Sequence, residues 1–337
     1  MIENQFKVVR IDKPEVLLPM IEELEELSGI GAEVVEADWT TEDDIIEAAR
    51  DADAVLTDTA QMTRRVLESS PKLKVVVCYG IGYDNIDVDA ATDNGILVVN
   101  VPDYCFEEVS NHAMTLLLAC AKKLVLLNDY TRQGRWIESA RVLAPMGAVY
   151  GQTLGLIGCG NIGRMTARKA QCFGLRVLGF DPYLDKSLAG EYEISMVGLP
   201  ELLRESDYVS LHAPLTKETW HLIGEKEFKE MKPGAYFINL SRGTVVDEAA
   251  LIKALQEKWI AGVGLDVFEK EPVDLDNPLL KMENAVFTPH SAFYSDAAMK
   301  RLRESVGQET VKVLSGNWPK NVVNKTVKPK ADLIRES

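Results

Sequence analysis

The sequence predicts an α/β protein of two doubly wound parallel sheets, with the second domain inserted into the first. Three observations predict it. Short β-branched runs alternate with amphipathic helical segments along almost the whole chain, and strands separated by helices build parallel sheets covered on both faces. The chain has 337 residues, enough for two domains of roughly 150 residues each. A last helical pattern follows the second series of strands with too little chain behind it for a third domain, so it is expected to pack back onto the first.

Composition narrows the class. Hydrophobic residues make up 46% and charged residues 26%, which excludes a disordered, collagenous or coiled-coil chain. The net charge of −15 makes nucleic acid and anionic membrane poor partners. Cys78, Cys105, Cys120, Cys159 and Cys172 are odd in number and show no CxxC spacing, so reduced thiols are expected. Met1–Arg10 lacks the apolar core of an export signal. The longest apolar stretch, Ala113–Ala121, stops at Lys122-Lys123 and is too short to span a bilayer. A soluble, cytoplasmic protein is expected.

In chain order, strands are expected at Lys7–Ile11, Glu33–Glu36, Ala54–Thr57, Lys74–Cys78 and Ile96–Val99, with helical patterns at Val16–Leu27 and Thr41–Ala49. Pro102 closes this series. Glu107–Leu127 then reads as one long helix, apolar round much of its circumference and so buried, with a second subunit as a possible cover. Thr131–Val149, carrying Gly134, Pro145 and Gly147, reads as a loop-rich connector. A second series follows at Thr153–Ile157, Arg176–Phe180, Tyr208–Leu211, Ala235–Leu240, Ile260–Val267 and Ala285–Phe287, the six strands of a full dinucleotide-binding sheet. Asp296 to Leu314 is helical, and the tail from Gly316 is expected to be loosely held at its end. The expected division is 1–102 with 292–337, and 103–291.

Thr153–Ile157 runs into Gly158-Cys159-Gly160-Asn161-Ile162-Gly163. This is GxGxxG between a strand and a helix. Gly158 permits the tight turn, Gly160 lets the backbone approach a pyrophosphate, and Gly163 lets helix and strand pack closely. The helix is expected to bury a stripe of Ile162, Met165, Ala170 and Phe173 and to stop at Gly174. Its start, at Asn161 and Ile162, offers free N–H groups and a positive dipole end to phosphate. Asp181 ends the next strand, near the roughly 20-residue spacing of the acid that binds the ribose hydroxyls and repels a 2′-phosphate. NAD is the expected cofactor.

Three polar residues follow at or just after strand ends: Arg242 after Asn239-Leu240-Ser241, Glu271 in Asp266–Pro272, and His290 after Thr288-Pro289. Ligands of doubly wound sheets bind outside the C-terminal strand edges, so these three can converge on the cofactor. They suit reduction of a 2-keto acid. Arginine offers a planar fork to carboxylate and keto oxygen. Histidine titrates near neutrality and exchanges the carbonyl proton. A neighbouring carboxylate raises the histidine pKa and fixes its tautomer.

With these motifs in place, the chain resembles the D-isomer-specific 2-hydroxyacid dehydrogenases over nearly its whole length. The resemblance rests on Tyr79-Gly80-Ile81-Gly82-Tyr83-Asp84-Asn85-Ile86-Asp87, the glycine motif with Asp181, His212-Ala213-Pro214-Leu215-Thr216, Asn239–Gly243, Gly264–Val267 with Glu271-Pro272, and Thr288-Pro289-His290. It implies a Rossmann NAD-binding domain inserted into a flavodoxin-like substrate domain. It implies that Arg242, Glu271 and His290 are catalytic, that Ile81 and Gly82 hold the substrate carboxylate through their amides, and that Tyr79 lines the pocket. It implies that Asp266 binds the nicotinamide carboxamide, that His212, Pro214 and Thr216 wall the adenosine, and that Leu240 and Ser241 also meet the cofactor. It implies a homodimer through the nucleotide domain, with Glu107–Leu127 at the interface. The segment Ser291-Ala292-Phe293-Tyr294-Ser295 is similar to the C-terminal-binding-protein branch, as is Asn321–Lys325. Phe293 would set a ring over the substrate side chain. The expected partner is a small anionic 2-keto or 2-hydroxy acid; an NAD(H)-sensing corepressor of the same fold is the other reading. Ser110-Asn111-His112 departs from the family's Ala-Glu-His pattern, which puts dimer or cofactor contacts there in doubt.

Overall fold

A computed structural model describes residues 6–13 and 19–335, with Lys186 as backbone alone. The chain divides into two compact units, 1–104 with 295–337, and 105–294.

The first unit holds β1 (Phe6–Ile11), α1 (Glu22–Ser28), β2 (Ala32–Ala37), α2 (Glu42–Ala49), β3 (Ala54–Thr57), α3 (Arg64–Glu68), β4 (Val75–Cys78), α4 (Val88–Asp93) and β5 (Leu97–Val99). All pairings are parallel, in the order β2-β1-β3-β4-β5, the flavodoxin-like winding. Register explains the valine-rich strands. Val35, Val9, Val55, Val76 and Val98 stand side by side in one row across the sheet. Four of them lie in the core beneath α2 to α4, where β-branched side chains suit a pleated, covered surface. A capping box between Thr41 and Asp44 starts α2. Of the helix expected at Val16–Leu27, residues 14–18 lie outside the described residues, and α1 begins at Glu22.

The second unit holds α5 (Phe106–Ala121), α6 (Leu124–Arg132), β6 (Thr153–Ile157), α7 (Asn161–Cys172), β7 (Arg176–Phe180), α8 (Lys186–Glu191), β8 (Ser195–Met196), α9 (Leu199–Glu205), β9 (Tyr208–Leu211), α10 (Glu225–Glu230), β10 (Tyr236–Asn239), α11 (Glu248–Gln256), β11 (Gly262–Leu265) and β12 (Ala285–Phe287). The parallel order β12-β11-β10-β9-β6-β7-β8 is the dinucleotide-binding winding with one strand added. It has seven strands, not six. The unpredicted β8 has two residues, too few to show a period. The winding reverses between β6 and β9, so the loops after those two strands open a crevice at the C-terminal edge.

Two expectations about helices fail here. Glu107–Leu127 is not one helix. Lys123 takes a left-handed conformation (φ 50°) and its Nζ donates to the Val142 carbonyl at 2.7 Å, so the chain turns and α6 starts anew. The apolar α5 is buried within its own unit, against β10, β11, β12 and α7. Its apolarity therefore needs no second subunit; α6, with no buried residue, is the exposed part. In α7 the buried residues are Gly163, Thr166, Ala167 and Ala170. Phe173 is 47% exposed because the helix turns its small residues to the sheet. Gly174 (φ 76°) does end it.

α12 (Asp296–Leu314) belongs to the first unit and packs on α1 and β4. The tail behind it is not loose within the described residues. The buried Asn324 accepts the Val98 N–H at 2.9 Å and donates to the Ile96 carbonyl at 2.9 Å and to Thr92 Oγ1 at 3.1 Å, and Ile334 N–H reaches the Gly316 carbonyl at 2.8 Å.

Candidate active site

The glycine turn follows β6. Gly158 has φ 90°, and a Cβ there would lie 2.7 Å from the Ala213 nitrogen; at Gly163 it would lie 2.3 Å from the Gly158 oxygen. Those two glycines are required by the protein's own packing. Gly160 is not, since a Cβ there would meet nothing within 4 Å. The space above Gly160, at the start of the twelve-residue α7, is open for a ligand, which suits a pyrophosphate at a helix N-terminus. Asn161 and Ile162 form the first turn of α7. Asn161 Oδ1 accepts from Arg164 Nη2 at 2.6 Å, while Arg164 Nη1 donates to the Cys159 carbonyl at 2.9 Å. Asp181 braces the same turn: its Oδ2 accepts the Cys159 N–H and its Oδ1 the Tyr183 N–H, both at 2.9 Å.

Across the crevice, His212 follows β9. Burial lowers its imidazole to about 4, so the ring is neutral at pH 7, and it bonds Ser210 Oγ at 2.9 Å. Pro214 and Thr216 shape an exposed turn. Thr219 Oγ1 donates to the Pro214 carbonyl at 2.6 Å, and Thr216 Oγ1 accepts two backbone N–H groups at 3.2 Å.

Arg242 follows β10 and is held by a residue the sequence reading did not single out. Asn239 is 1% exposed. Its Oδ1 accepts the Ser241 N–H and hydroxyl, and its Nδ2 donates to the Arg242 carbonyl, all at 3.0 Å. Leu240 is buried. Arg242 Nη1 also donates to the Ser241 carbonyl at 2.9 Å.

His290 and Glu271 meet. His290 Nδ1 lies 2.6 Å from Glu271 Oε2, and Glu271 Oε1 accepts the Phe268 N–H at 2.9 Å. A carboxylate only accepts, so Nδ1 carries the proton and Nε2 is the ring atom left for substrate. Burial, the largest influence on His290, favours the neutral ring. The hydrogen bond and charge of Glu271 outweigh it, and with Asp266 helping and Arg242 opposing, the ring titrates above its ordinary 6.5. Burial likewise works to raise Glu271, but His290, the Phe268 N–H and Arg242 together hold it below the usual 4.5. Arg242 thus lies close enough for its charge to act on both. The Phe293 ring stands edge-on to the His290 ring at 6.4 Å between centroids.

Asp266 does something beyond the expected nicotinamide contact. It is 1% exposed, its Oδ1 accepts the Ser291 N–H and its Oδ2 the Ala292 N–H, both at 2.9 Å, and Thr288 Oγ1 donates to Oδ1 at 2.5 Å. It is the brace of the segment carrying His290.

In the first unit, Tyr79, Ile81 and Gly82 follow β4. Asn100 Nδ2 donates to the Ile81 carbonyl at 2.7 Å, and among the described residues neither the Ile81 nor the Gly82 N–H has a protein acceptor. Tyr79 is half-buried. Its hydroxyl is buried without a hydrogen-bond partner, the Glu23 carboxylate acts on it, and the Arg10 guanidinium lies 5.1 Å from its ring centroid. It turns its polar end into its own unit. Among the described residues no group of three His, Cys, Asp or Glu side chains is placed to hold a metal, and no helix is long and apolar enough to cross a membrane.

Residues 114–292 match the family model of the D-isomer specific 2-hydroxyacid dehydrogenase, NAD binding domain. A glyoxylate reductase of Korarchaeum cryptofilum (strain OPF8) is 45% identical over 285 residues, covering 84% of this chain and 86% of that protein. The chain belongs to the D-isomer specific 2-hydroxyacid dehydrogenase family. Among solved structures, D-lactate dehydrogenase from Aquifex aeolicus with NAD and lactic acid aligns at TM-score 0.79 and 32% identity, over 92% of this chain and 94% of that one. An NADPH-dependent glyoxylate/hydroxypyruvate reductase from Sinorhizobium meliloti with NADP and malonate aligns at TM-score 0.83 and 29% identity, over 95% and 97%. The chain is therefore an oxidoreductase acting on 2-hydroxy acids, with NAD as its cofactor.

Proposed function

We propose that this dehydrogenase reduces a small 2-keto acid with His290 as the acid and Glu271 as its support. The observation that carries the reading is the 2.6 Å contact between His290 Nδ1 and Glu271 Oε2, with Arg242 near enough to act on both. The open space over Gly160, the α7 N-terminus and Asp181 fit NAD, with His212, Pro214, Thr216, Leu240, Ser241 and Asp266 as further contacts. When bound, the reduced nicotinamide supplies the hydride that reaches substrate C2. His290 gives its Nε2 proton to the keto oxygen as negative charge develops there, and Glu271 stabilises the cationic ring until that moment. Arg242 holds the carboxylate. In oxidation His290 takes the hydroxyl proton instead.

The names of the relatives put glyoxylate, hydroxypyruvate and lactate's keto form first among candidates, and the Phe293 ring beside His290 adds phenylpyruvate. His290→Ala is expected to lower kcat by about 10²–10⁴-fold while NADH still binds; near-wild-type turnover overturns the assignment. A panel of 2-keto acids read by NADH consumption identifies the substrate. Failure of every acid alongside tight NADH binding favours the corepressor-like reading.

The exposed apolar residues of the second unit support a homodimer. Leu124 is 62%, Trp136 73% and Ile137 88% exposed, large apolar side chains of the kind that partners cover. Light scattering on the wild type and on Ile137→Glu tests it; a monomeric wild type overturns it.

A further inference from the structure

His112 stands on α5, far in sequence from the strand-edge loops, yet its ring reaches the segment that carries His290. Its Nε2 lies 2.9 Å from Thr288 Oγ1 and 3.8 Å from Asp266 Oδ1. The Thr288 hydroxyl has one proton, and Asp266 Oδ1, 2.5 Å away, can only accept it. The remaining bond at Thr288 Oγ1 must then be donated by the ring, so His112 carries its proton on Nε2. The chain of donors runs from His112 through Thr288 to Asp266. From Asp266 it spreads into the loop: Oδ1 and Oδ2 take the N–H groups of Ser291 and Ala292 at 2.9 Å, and the Asp266 carbonyl takes that of His290 at 2.7 Å. His290 itself is left-handed, φ 50°, a conformation that persists in a non-glycine residue only where its surroundings fix it.

We infer that His112 is a positioning residue for His290, fixing through Thr288 and Asp266 the backbone segment that aims the acid at Glu271 and the substrate. The inference rests on the reading of His290 as the acid. It also gives physical content to the Ser110-Asn111-His112 segment, whose histidine faces a catalytic loop.

The groups whose charges act on the His290 ring are Glu271, Arg242 and Asp266. A loosened segment weakens the contact with Glu271, so His290 must titrate lower. Three full-length variants test this. His112→Leu removes the donor; His112→Gln keeps an N–H for Thr288 without a titrating ring; Thr288→Val breaks the same link with an isosteric side chain. His112→Leu and Thr288→Val are expected to lower kcat for reduction on the order of ten-fold, part of the 10²-fold that a 1 Å misplacement can cost. KM for NADH should hold, and the alkaline limb of kcat should move to lower pH. His112→Gln should restore both. The chain has 4 histidines, so ring NMR reads the His290 titration directly, whether or not His290 is the acid. A loss that is the same in the Leu and Gln variants, a loss confined to KM for NADH, or an unmoved His290 titration in the Leu and Val variants overturns the inference. Turnover surviving in His290→Ala overturns the reading beneath it instead.

Discussion

Glu271 holds His290 by one carboxylate oxygen at 2.6 Å and is itself held by the Phe268 N–H on the other at 2.9 Å. On the proposed reading of His290 as the acid, the pair sets the working pH. A ring held above its ordinary pKa stays protonated further up the pH scale. Reduction, which needs that proton, is therefore fast below the raised pKa and fades above it, while oxidation gains over the same range. Glu271→Gln removes the charge that raises the ring. The alkaline limb of kcat for reduction should move to lower pH, measured by NADH consumption across pH 5–9, a span that roughly brackets a histidine's titration. An unmoved limb means another group supplies the proton.

Asp181 has two tasks. It accepts the Cys159 N–H at 2.9 Å, and the proposed function assigns it the ribose hydroxyls as well. Asp181→Ala should therefore act twice. The ratio of kcat/KM for NADPH over NADH should rise about ten-fold or more once the carboxylate no longer repels a 2′-phosphate. Stability should fall by about 1 kcal/mol as the Cys159 N–H loses its acceptor, read by urea unfolding. An unchanged cofactor ratio leaves Asp181 as a brace alone.

These cases show where the sequence was legible. Strands β3, β6, β7, β9 and β12 lie where their β-branched runs place them, because parallel strands buried on both faces advertise themselves as apolar runs. Arg242, Glu271 and His290 stood out as candidates because chemistry restricts residue type at strand ends, and the structure brings His290 and Glu271 to 2.6 Å. Asn239, Asn100 and Thr288 did not stand out. Asn239 and Asn100 act by side-chain bonds to backbone and Thr288 by bonds to the side chains of Asp266 and His112, and an asparagine or threonine in a loop carries no period or spacing that announces such a bond. The break at Lys123 was hidden for a similar reason, since apolar residues continue on both sides of it. The inward turn of Tyr79 depends on Arg10 and Glu23, which are distant in the sequence.

The glycine motif predicts two different failures. Alanine at Gly158 meets both a left-handed backbone and a neighbour at 2.7 Å, so Gly158→Ala should lower Tm and expression whether or not cofactor is added. Alanine at Gly160 meets nothing within 4 Å. Gly160→Ala should keep a wild-type Tm in the absence of cofactor and lose NADH affinity, because the methyl fills the pyrophosphate's space. Calorimetry with and without NADH separates the two. A Gly160→Ala protein that binds NADH normally would place the pyrophosphate elsewhere.

Asn239 offers a test of how Arg242 is kept on target. Its amide satisfies the Ser241 N–H and hydroxyl and the Arg242 carbonyl at 3.0 Å from a site 1% exposed to solvent. Asn239→Ala takes the acceptor from the Ser241 N–H and hydroxyl and one of two donors from the Arg242 carbonyl, which keeps the Val245 N–H at 3.4 Å; the expected cost is about 1 kcal/mol in stability. The turn then relaxes toward whatever partners it can find, and the guanidinium moves with it. KM for the keto acid should rise while KM for NADH stays near wild type, because Arg242 is assigned to the substrate carboxylate. Asn239→Asp is the sharper probe. It keeps the acceptor for Ser241, loses the donor to the Arg242 carbonyl and buries a charge in its place, so it should be the less stable of the two. If both variants lose stability with KM for the keto acid unchanged, Asn239 supports the fold and leaves Arg242 alone.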